Sequence, residues 1–253
     1  MLKKRLIFTL LVDGEDFVLS RNFTLQKVGN IEWLLKNFNF LKISSFIDEL
    51  IILNVRNKKK NFKKFCSIIQ EVTREIFIPI AAGGGIENVD DVKNILRNGA
   101  DKIVINTLLI ENHKELQKIS KVIGRQSIIG SIDTKLINGK FLVYNNSTKT
   151  YDNSLTNVLN SIPEDTIGEL YINSIDRDGT GNGYMLEIIN KFQSKIKIPT
   201  IMAGGAGNWN HLLEGLKYKK INAVATANLL NFIGDGFQTA REHLVKQFDL
   251  PKW

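Results

Sequence analysis

The stretch Ile78-Pro79-Ile80-Ala81-Ala82-Gly83-Gly84-Gly85 decides the fold, because its pattern returns 120 residues later as Ile198-Pro199-Thr200-Ile201-Met202-Ala203-Gly204-Gly205. Two further pairs share an offset of 122 residues: Leu10-Leu11 with Ile132-Asp133, and Ile52-Leu53-Asn54 with Ser174-Ile175-Asp176. Self-similarity at a fixed period indicates a repeated structural unit. We therefore predict one domain over residues 1–253, made of two similar halves at about 1–122 and 123–253.

Short apolar segments alternate with amphipathic helical segments along the whole chain. The eight predicted strands are Leu6–Val12, Leu50–Val55, Pro79–Ala82, Lys102–Ile105, Ser127–Ile132, Leu170–Asn173, Thr200–Ala203 and Ala223–Thr226. The eight predicted helices are Ile31–Phe38, Asn61–Ile76, Val89–Gly99, Glu111–Ile123, Leu155–Ser161, Met185–Ile196, Trp209–Lys217 and Gly236–Phe248. Continuous apolar runs favour parallel strands that are covered on both faces. Eight βα units in about 250 residues predict an α/β fold, the (β/α)8 TIM barrel, with four units in each half.

The composition narrows the class of partner. The net charge of +8 favours anionic partners such as phosphorylated metabolites. The densest basic run, Lys58-Lys59-Lys60, lacks the interleaved aromatic residues of single-strand nucleic-acid sites, so we expect no nucleic acid. No apolar run approaches the roughly 20 residues of a membrane span. With Cys66 as the single cysteine, which fits a reducing compartment, we expect a cytoplasmic protein without membrane association.

Glycine-rich segments follow the third and seventh predicted strands, at Gly83-Gly84-Gly85 and Gly204-Gly205. The next strand in each half ends in small or polar residues, Asn106-Thr107 and Ala227-Asn228, and Asp178-Gly179-Thr180-Gly181 offers further backbone amides. Such segments hold phosphate through backbone N–H groups, but tight βα turns also need glycine. Their occurrence at matching strands of both halves favours two phosphate cradles at one mouth of the barrel.

Two carboxylates end predicted strands of the second half, Asp133 and Asp176, and their counterparts in the first half are Leu11 and Asn54. A carboxylate at a barrel strand end is well placed for general acid or base catalysis. Leucine can neither accept a proton nor stabilise a cation. Asp13, two residues beyond Leu11, could substitute for the missing acid or lie in the following loop, and Asp133 alone could be a structural hydrogen-bonding group.

Four charged residues stand at strand starts: Arg5, Glu49, Lys102 and Glu169. If they point inward, they form salt bridges across the barrel floor and could plug it or gate the passage of a small molecule. The positions of these four residues are explained equally well if their side chains are simply exposed to solvent at the starts of the strands.

The chain resembles the cyclase subunit of imidazole glycerol phosphate synthase, a histidine-pathway enzyme that works with a glutaminase, over nearly its whole length. The matching stretches include Met1-Leu2-Lys3-Lys4-Arg5, Asp48-Glu49-Leu50, Gly83-Gly84-Gly85-Ile86, Gly99-Ala100-Asp101-Lys102, Ser174-Ile175-Asp176-Arg177-Asp178-Gly179-Thr180 and Gly204-Gly205-Ala206-Gly207. The resemblance implies a catalytic Asp133, an ammonia gate formed by the four floor residues, and a glutaminase-facing floor with Asp101 and Gln126. It implies two phosphate sites for a bisphosphorylated ligand, lined by Gly85, Asn106, Thr107, Asp178, Gly179, Gly205, Ala227 and Asn228. We expect neither a metal nor an organic cofactor.

The sequence departs from this family at the mouth. Leu11 replaces the second catalytic aspartate, Asn54 a nearby aspartate, Leu19 the lysine of the first loop and Asn228 a serine of the second phosphate site. Leu10-Leu11-Val12 resembles a paralogous branch that works with a dedicated glutaminase and a sugar amidotransferase in acetamidino modification of surface-polysaccharide or glycan sugars. We therefore expect an ammonia-channelling subunit without cyclase activity. The alternatives are a genuine imidazole glycerol phosphate synthase cyclase and a non-catalytic scaffold that activates the glutaminase.

Overall fold

The computed structural model describes residues 3–37, 40–55, 62–192, 194–227 and 235–251 of the chain. The predicted lysine run at residues 58–60 and Asn228 lie outside these residues.

Eight parallel strands close into a barrel, which confirms the predicted fold. The strands of the barrel are β1 (Arg5–Asp13), β4 (Glu49–Asn54), β5 (Ile80–Gly83), β6 (Lys102–Ile105), β7 (Ile128–Ile137), β10 (Glu169–Ser174), β11 (Thr200–Ala203) and β12 (Ile221–Thr226). Their order around the barrel is β10-β11-β12-β1-β4-β5-β6-β7, and a β7–β10 pairing closes the circle. All eight predicted strands are present, and most boundaries differ by one or two residues.

Side chains along each barrel strand point alternately into the barrel and out toward the helices, so the protein has two separate apolar cores. In β1, Ile7 lies inside the barrel while Leu6, Phe8 and Leu10 pack outward against the helices. The inner core contains Ile7, Ile51, Ala81, Val104, Ile129, Tyr171, Ile201, Ala203, Ala223 and Ala225. Because both faces of the sheet are buried, the strands show continuous apolar runs, as the sequence indicated.

Ten helices cover the described part of the barrel. They are α1 (Ile31–Asn37), α2 (Phe40–Ser44), α3 (Phe62–Glu75), α4 (Val89–Arg97), α5 (Thr107–Glu111), α6 (His113–Ile123), α7 (Leu155–Ser161), α8 (Glu187–Phe192), α9 (Trp209–Lys217) and α10 (Gly236–Leu244). Polar side chains cap several of them, as where the side chain of Asn88 accepts hydrogen bonds from the first-turn amides of α4. The predicted helix Glu111–Ile123 is divided at Asn112, whose side chain caps α6. The predicted helix Met185–Ile196 is shorter, since α8 covers only six residues.

Two β-hairpins rise from the mouth of the barrel and were absent from the prediction. They consist of β2 (Asp16–Arg21) with β3 (Thr24–Asn30), after β1, and β8 (Lys140–Asn145) with β9 (Thr150–Ser154), after β7. The turn between β7 and β8 contains Asn138 and Gly139, both at positive φ. Asn-Gly is the strongest short-range hairpin signal, so the antiparallel pairing of β7 with β8, which leads into the β8–β9 hairpin, could have been predicted. Among the described residues, no helix is long and apolar enough to span a membrane.

Candidate functional site

A cavity of about 1290 Å³ opens at the carboxyl ends of the barrel strands. Seven of the eight residues that the sequence predicted for phosphate binding line it: Gly85, Asn106, Thr107, Asp178, Gly179, Gly205 and Ala227. The eighth, Asn228, lies outside the described residues. Asp133 and Leu11 line the same cavity, so the structure brings the predicted catalytic and phosphate-binding positions together.

One wall of the cavity is polar and centres on Asp133. Asn106 and Asn146 donate from Nδ2 to Asp133 Oδ2 at 3.1 and 3.2 Å, and Asn173 donates from Nδ2 to Oδ1 at 3.0 Å. Burial raises the pKa of Asp133 to about 6, although these three amides oppose the rise. We call Asp133, Asn106, Asn146 and Asn173 the polar wall. A carboxyl group that titrates near neutral pH is suited to accept or donate a proton.

Another wall of the cavity is formed by Leu11, Leu19 and Leu53, which we call the leucine wall. Leu11 and Leu53 are register partners on β1 and β4, as Asp133 and Asn173 are on β7 and β10. The leucine pair and the Asp133–Asn173 pair therefore occupy equivalent positions in the two halves. At this pair of positions the first half therefore has two leucines where the second half has a carboxylate and an amide.

Two other carboxylates proposed for the mouth do not line this cavity. Asp176 lies beyond β10, and its Oδ2 accepts a hydrogen bond from the backbone N of Leu136 at 2.8 Å. The predicted equivalence of Asp176 with Asn54 is wrong by two residues, because Glu49 and Glu169 begin matching strands and Asn54 then matches Ser174. Asp13 is the last residue of β1 and pairs with Asp16 at the turn into β2, so it lies in the hairpin.

The glycines at the strand ends satisfy backbone constraints as well as lining the cavity. Gly84 and Gly85 have φ values of +101° and +78°, and Gly204 and Gly205 have +81° and +112°. A Cβ atom on Gly84 would lie 2.1 Å from the carbonyl oxygen of Asn54. Both alternatives in the sequence analysis therefore apply: these turns need glycine, and they border a cavity in which their amides can meet a ligand.

Asp178 and Gly179 hold the first hairpin over the cavity. The carboxylate of Asp178 accepts hydrogen bonds from Ser20 Oγ at 2.5 Å and from the backbone N of Phe23 at 3.1 Å. Its carbonyl oxygen accepts one from the backbone N of Asn22 at 2.9 Å. A Cβ atom on Gly179 would lie 2.1 Å from the carbonyl oxygen of Ser20. Asp178 and Gly179 were expected to bind phosphate. Their contacts with the first hairpin give a second reason for these residue types, because they hold the hairpin in place.

The two hairpins also meet through aromatic side chains. Phe23, at the tip of the first hairpin, packs edge-on against Tyr144 of β8 with ring centroids 5.6 Å apart. Phe23 holds a φ of +66°, which a bulky residue rarely adopts. The contacts to Tyr144 and Asp178 favour this conformation. This aromatic contact between the hairpins was not predicted, because neither hairpin was predicted from the sequence.

At the opposite end of the barrel, the four charged strand starts form one network, which we call the floor ring. Arg5 Nη1 lies 2.7 Å from Glu49 Oε2, and Lys102 Nζ lies 3.2 Å from Glu49 Oε1 and 2.8 Å from Glu169 Oε1. Arg5 also pairs with Glu169. The inward orientation, one of two alternatives from the sequence, is the observed one.

Burial raises the pKa of Glu49, which is only 1% exposed. Burial also acts on Glu169, but Arg5 and Lys102 outweigh it and lower the pKa of that carboxyl. The ring contains two cations and two anions. A balanced set of charges can be buried at this depth, whereas an unpaired charge could not.

Asp101 and Gln126, the two predicted partner-facing residues, are exposed near the floor ring. Asp101 precedes β6, and its Oδ2 accepts a hydrogen bond from the backbone N of Ile80 at 2.8 Å. Gln126 lies in a 3-10 turn, Arg125–Ser127, just before β7. Phe77, before β5, is 89% exposed at the same end of the barrel. Within the described residues, no group of three or more histidine, cysteine or acidic side chains could hold a metal ion.

Comparison with known proteins places this geometry in a family. Residues 29–233 match the family described as "Histidine biosynthesis protein". A "Putative imidazole glycerol phosphate synthase subunit hisF2" of Parasynechococcus marenigrum (strain WH8102) is 43% identical over 259 residues, covering 100% of this chain and 95% of the relative. "Imidazole glycerol phosphate synthase subunit HisF" of Chlorobaculum parvum is 31% identical, and that of Chlorobium limicola 32%; each alignment covers 96% of both chains. The chain therefore belongs to the histidine biosynthesis protein family, and its relatives in that family include proteins named as imidazole glycerol phosphate synthase subunits.

Proposed function

We propose that this chain is the barrel subunit of a glutamine-dependent complex, in which it passes ammonia from a glutaminase through the barrel and does not itself catalyse cyclisation. The final use of the ammonia is acetamidino modification of a glycan sugar, carried out with a sugar amidotransferase. The observation that carries this proposal is the contrast between an intact floor ring and a mouth that has leucine at one of the two catalytic positions.

The barrel interior supports passage of a small neutral molecule. Above the floor ring, the inner core is apolar and includes the small residues Ala81, Ala223 and Ala225. An ammonium ion would lose its hydration there without a counter-ion, whereas neutral ammonia would not pay that cost. The ring itself is closed by ion pairs, so entry requires one pair to open. The glutaminase docks on the floor, where Asp101 and Gln126 are exposed.

The mouth supports the absence of cyclase activity. A positioned acid or base contributes typically 10²- to 10⁴-fold to rate, and Leu11 supplies none. A second candidate, a genuine cyclase that uses Asp133 alone, is favoured by the raised pKa of that residue and its three amide donors. A scaffold without any ligand is disfavoured, because it would need neither the cavity nor the polar wall.

The first experiment measures cyclase turnover by the purified chain, with ammonium salts and the bisphosphorylated nucleotide substrate of imidazole glycerol phosphate synthase. We expect no turnover above background. Robust turnover would establish the second candidate and refute the first.

The second experiment tests ammonia passage in the complex with the co-expressed glutaminase. Lys102→Ala opens the floor ring and is expected to uncouple glutamine hydrolysis from ammonia delivery at the barrel mouth. The matched control is Lys118→Ala, whose side chain is 69% exposed in a helical pair with Glu115. Equal coupling in both variants would remove the floor ring from the route, and glutaminase activity that is indifferent to this subunit would refute the complex.

A further inference from the structure

The cavity at the mouth and the apolar inner core of the barrel meet at the side chain of Tyr171. This residue belongs to the inner core and also lines the cavity. It lies on β10 between Glu169 of the floor ring and Asn173 of the polar wall, since every second residue of a strand faces the same side. Tyr171 is the one aromatic residue of the inner core within the described part of the chain. The bulkiest side chain of the inner core therefore stands at the boundary with the cavity.

The Tyr171 side chain crosses the lumen of the barrel. Its hydroxyl oxygen lies 3.5 Å from Oγ1 of Thr9, which is on β1. Strands β10 and β1 are separated by β11 and β12 in the barrel order, so the two residues stand on different sides of the lumen. Both are almost completely buried, with 5% of Tyr171 and 1% of Thr9 exposed. Their contact forms a bar across the lumen, one layer of inward-facing residues below Leu11 and Asn173.

The lining of the cavity ends at the level of this bar. Of two alanines of β12 in the inner core, Ala225 lines the cavity, whereas Ala223, which is closer to the floor, does not. On β1, Leu11 lines the cavity and Thr9 does not. The described part of the barrel interior is therefore divided into two compartments, the cavity above Tyr171 and the inner core below it.

The hydroxyl group of Tyr171 suits the passage of a small neutral molecule. Burial raises the pKa of this hydroxyl above the ordinary value for tyrosine, so the group keeps its proton at physiological pH. A neutral hydroxyl donates one hydrogen bond and accepts others, and ammonia can take either role. The separation of 3.5 Å from Thr9 exceeds the usual range of about 2.5–3.0 Å for O–H···O bonds, so little is lost when the hydroxyl leaves Thr9.

We propose that Tyr171 is an exit gate between the barrel interior and the mouth cavity, as the floor ring is the gate at the entrance. In the closed position its side chain crosses the lumen and contacts Thr9. Movement of the side chain connects the inner core with the cavity and lets a molecule of the size of ammonia pass. The inference rests on the proposed function, because a passage for ammonia needs a barrier that opens.

Cysteine labelling of the full chain tests the gate. Ala223→Cys places a thiol below Tyr171, and Ala227→Cys places one at a half-buried position that lines the cavity. Methyl methanethiosulfonate is the probe, and mass spectrometry measures its attachment. We expect Ala223→Cys to react at least about tenfold more slowly than Ala227→Cys, because a buried thiol reacts only in molecules that have opened. The wild-type chain gives the background from the buried Cys66. Equal rates at the two positions would overturn the inference.

Substitutions of Tyr171 then locate the barrier. Tyr171→Leu retains an apolar side chain but does not reach Thr9, and we expect it to raise the rate at Ala223→Cys about tenfold, since it opens the lumen without opening the fold. The rate at Ala227→Cys should not change. Phe65→Leu, which shortens a fully buried aromatic residue of the outer core, is the matched control for lost packing. The gate is refuted if Tyr171→Leu leaves the rate at Ala223→Cys unchanged, or if Phe65→Leu raises it equally.

A third cysteine distinguishes a gate from a permanent plug. Ala82→Cys lies in the outer core, where it is fully buried and reacts only when the fold itself opens. We expect Ala223→Cys to react faster than Ala82→Cys in the presence of the native Tyr171. Equal rates would show that Tyr171 does not open in the folded protein, which would overturn the inference.

The labelling uses the chain alone and is therefore independent of the coupling assay in the glutaminase complex. Failure of the labelling pattern with intact coupling would refute the gate alone. The expected labelling pattern without coupling would refute ammonia passage, while Tyr171 would still separate the two compartments.

Discussion

Strands β4 and β10 occupy matching positions in the two halves and begin alike but end differently. Their sequences, Glu-Leu-Ile-Ile-Leu-Asn and Glu-Leu-Tyr-Ile-Asn-Ser, have the same burial pattern, and each begins with a glutamate of the floor ring. One residue before the end, Leu53 faces the cavity on β4, whereas Asn173 occupies that place on β10 and donates to Asp133. The floor glutamate is the same in both strands, whereas the residue that faces the cavity is not.

The floor ends and the mouth ends of these two strands are therefore under different constraints. The starts of both strands are tied to each other, because Glu49 and Glu169 share the same two cations across the barrel. A change in either glutamate would leave Arg5 and Lys102 with a single carboxylate. The ends of the strands face a cavity, so their side chains can change with the ligand while the backbone register stays fixed.

The largest expected effect comes from breaking the shared floor. Glu49→Ala leaves Arg5 and Lys102 with a single carboxylate in a buried site, and we expect a loss of about 3–5 kcal/mol in the free energy of unfolding. Urea unfolding measures the change. Glu164→Ala, in an ion pair with Lys197 whose side chains are 91% and 80% exposed, is the control and should cost at most about 1 kcal/mol. Similar losses for both would mean that the ring acts as an ordinary surface network.

A second prediction concerns variants that place the residue types of the polar wall, a carboxylate and an amide, in the leucine wall. Leu11→Asp places a carboxylate beside Leu53 without a donor, and we expect a loss of about 2–4 kcal/mol in the free energy of unfolding at pH 7. Adding Leu53→Asn supplies the amide that Asn173 gives to Asp133. The double variant should recover about 1–2 kcal/mol relative to additivity in a double-mutant cycle.

Strict additivity of Leu11→Asp and Leu53→Asn would contradict the equivalence of the two pairs. The single variant Leu53→Asn provides the fourth corner of the cycle. Cyclase turnover of the double variant, assayed in parallel, shows whether restoring the acid restores the chemistry.

A third and smaller effect is the pH dependence of the free energy of unfolding that is linked to Asp133 in the polar wall. The folded state holds the proton on Asp133 more tightly than the unfolded chain, because burial raises its pKa from 3.8 to about 6. The stability associated with this proton is fully present below pH 3.8 and is lost as the pH rises through about 6. At about 1.4 kcal/mol per pKa unit, the loss is on the order of 2–3 kcal/mol.

Asp133→Asn should therefore lack this decline, which is measured as the difference between variant and wild-type unfolding free energies from pH 4 to pH 7. Asp90→Asn, at a side chain that is 88% exposed, serves as the control. A constant difference across this range would show that Asp133 titrates like an exposed carboxyl.

The sequence predicted the barrel because its signals are local and redundant. Each strand is a short apolar run, and the repeat aligned the two halves. Small errors in the predicted strand boundaries therefore did not change the predicted fold. The hairpins were missed because β3 is largely exposed and carries little apolar signal. The Asn138-Gly139 turn, by contrast, carries a local hairpin signal between β7 and β8.

The residues of the site were predicted less completely, since side-chain direction at a strand end depends on register. Asp176 ends an apolar segment, as Asp133 does, yet it lies past β10 and binds the backbone of Leu136. A shift of one residue reverses the face of a strand, and local sequence does not fix such a shift beyond the last pairing.

The sequence by itself determined the strands, the two halves, the charged floor residues and the leucine at position 11. These follow from residue type and spacing along the chain. Only the tertiary structure decided that Asp133 is surrounded by three amides, that Asp178 fastens the first hairpin, and that Leu53 matches Asn173. These contacts join residues that are mostly far apart in sequence, and closure of the barrel alone brings them together.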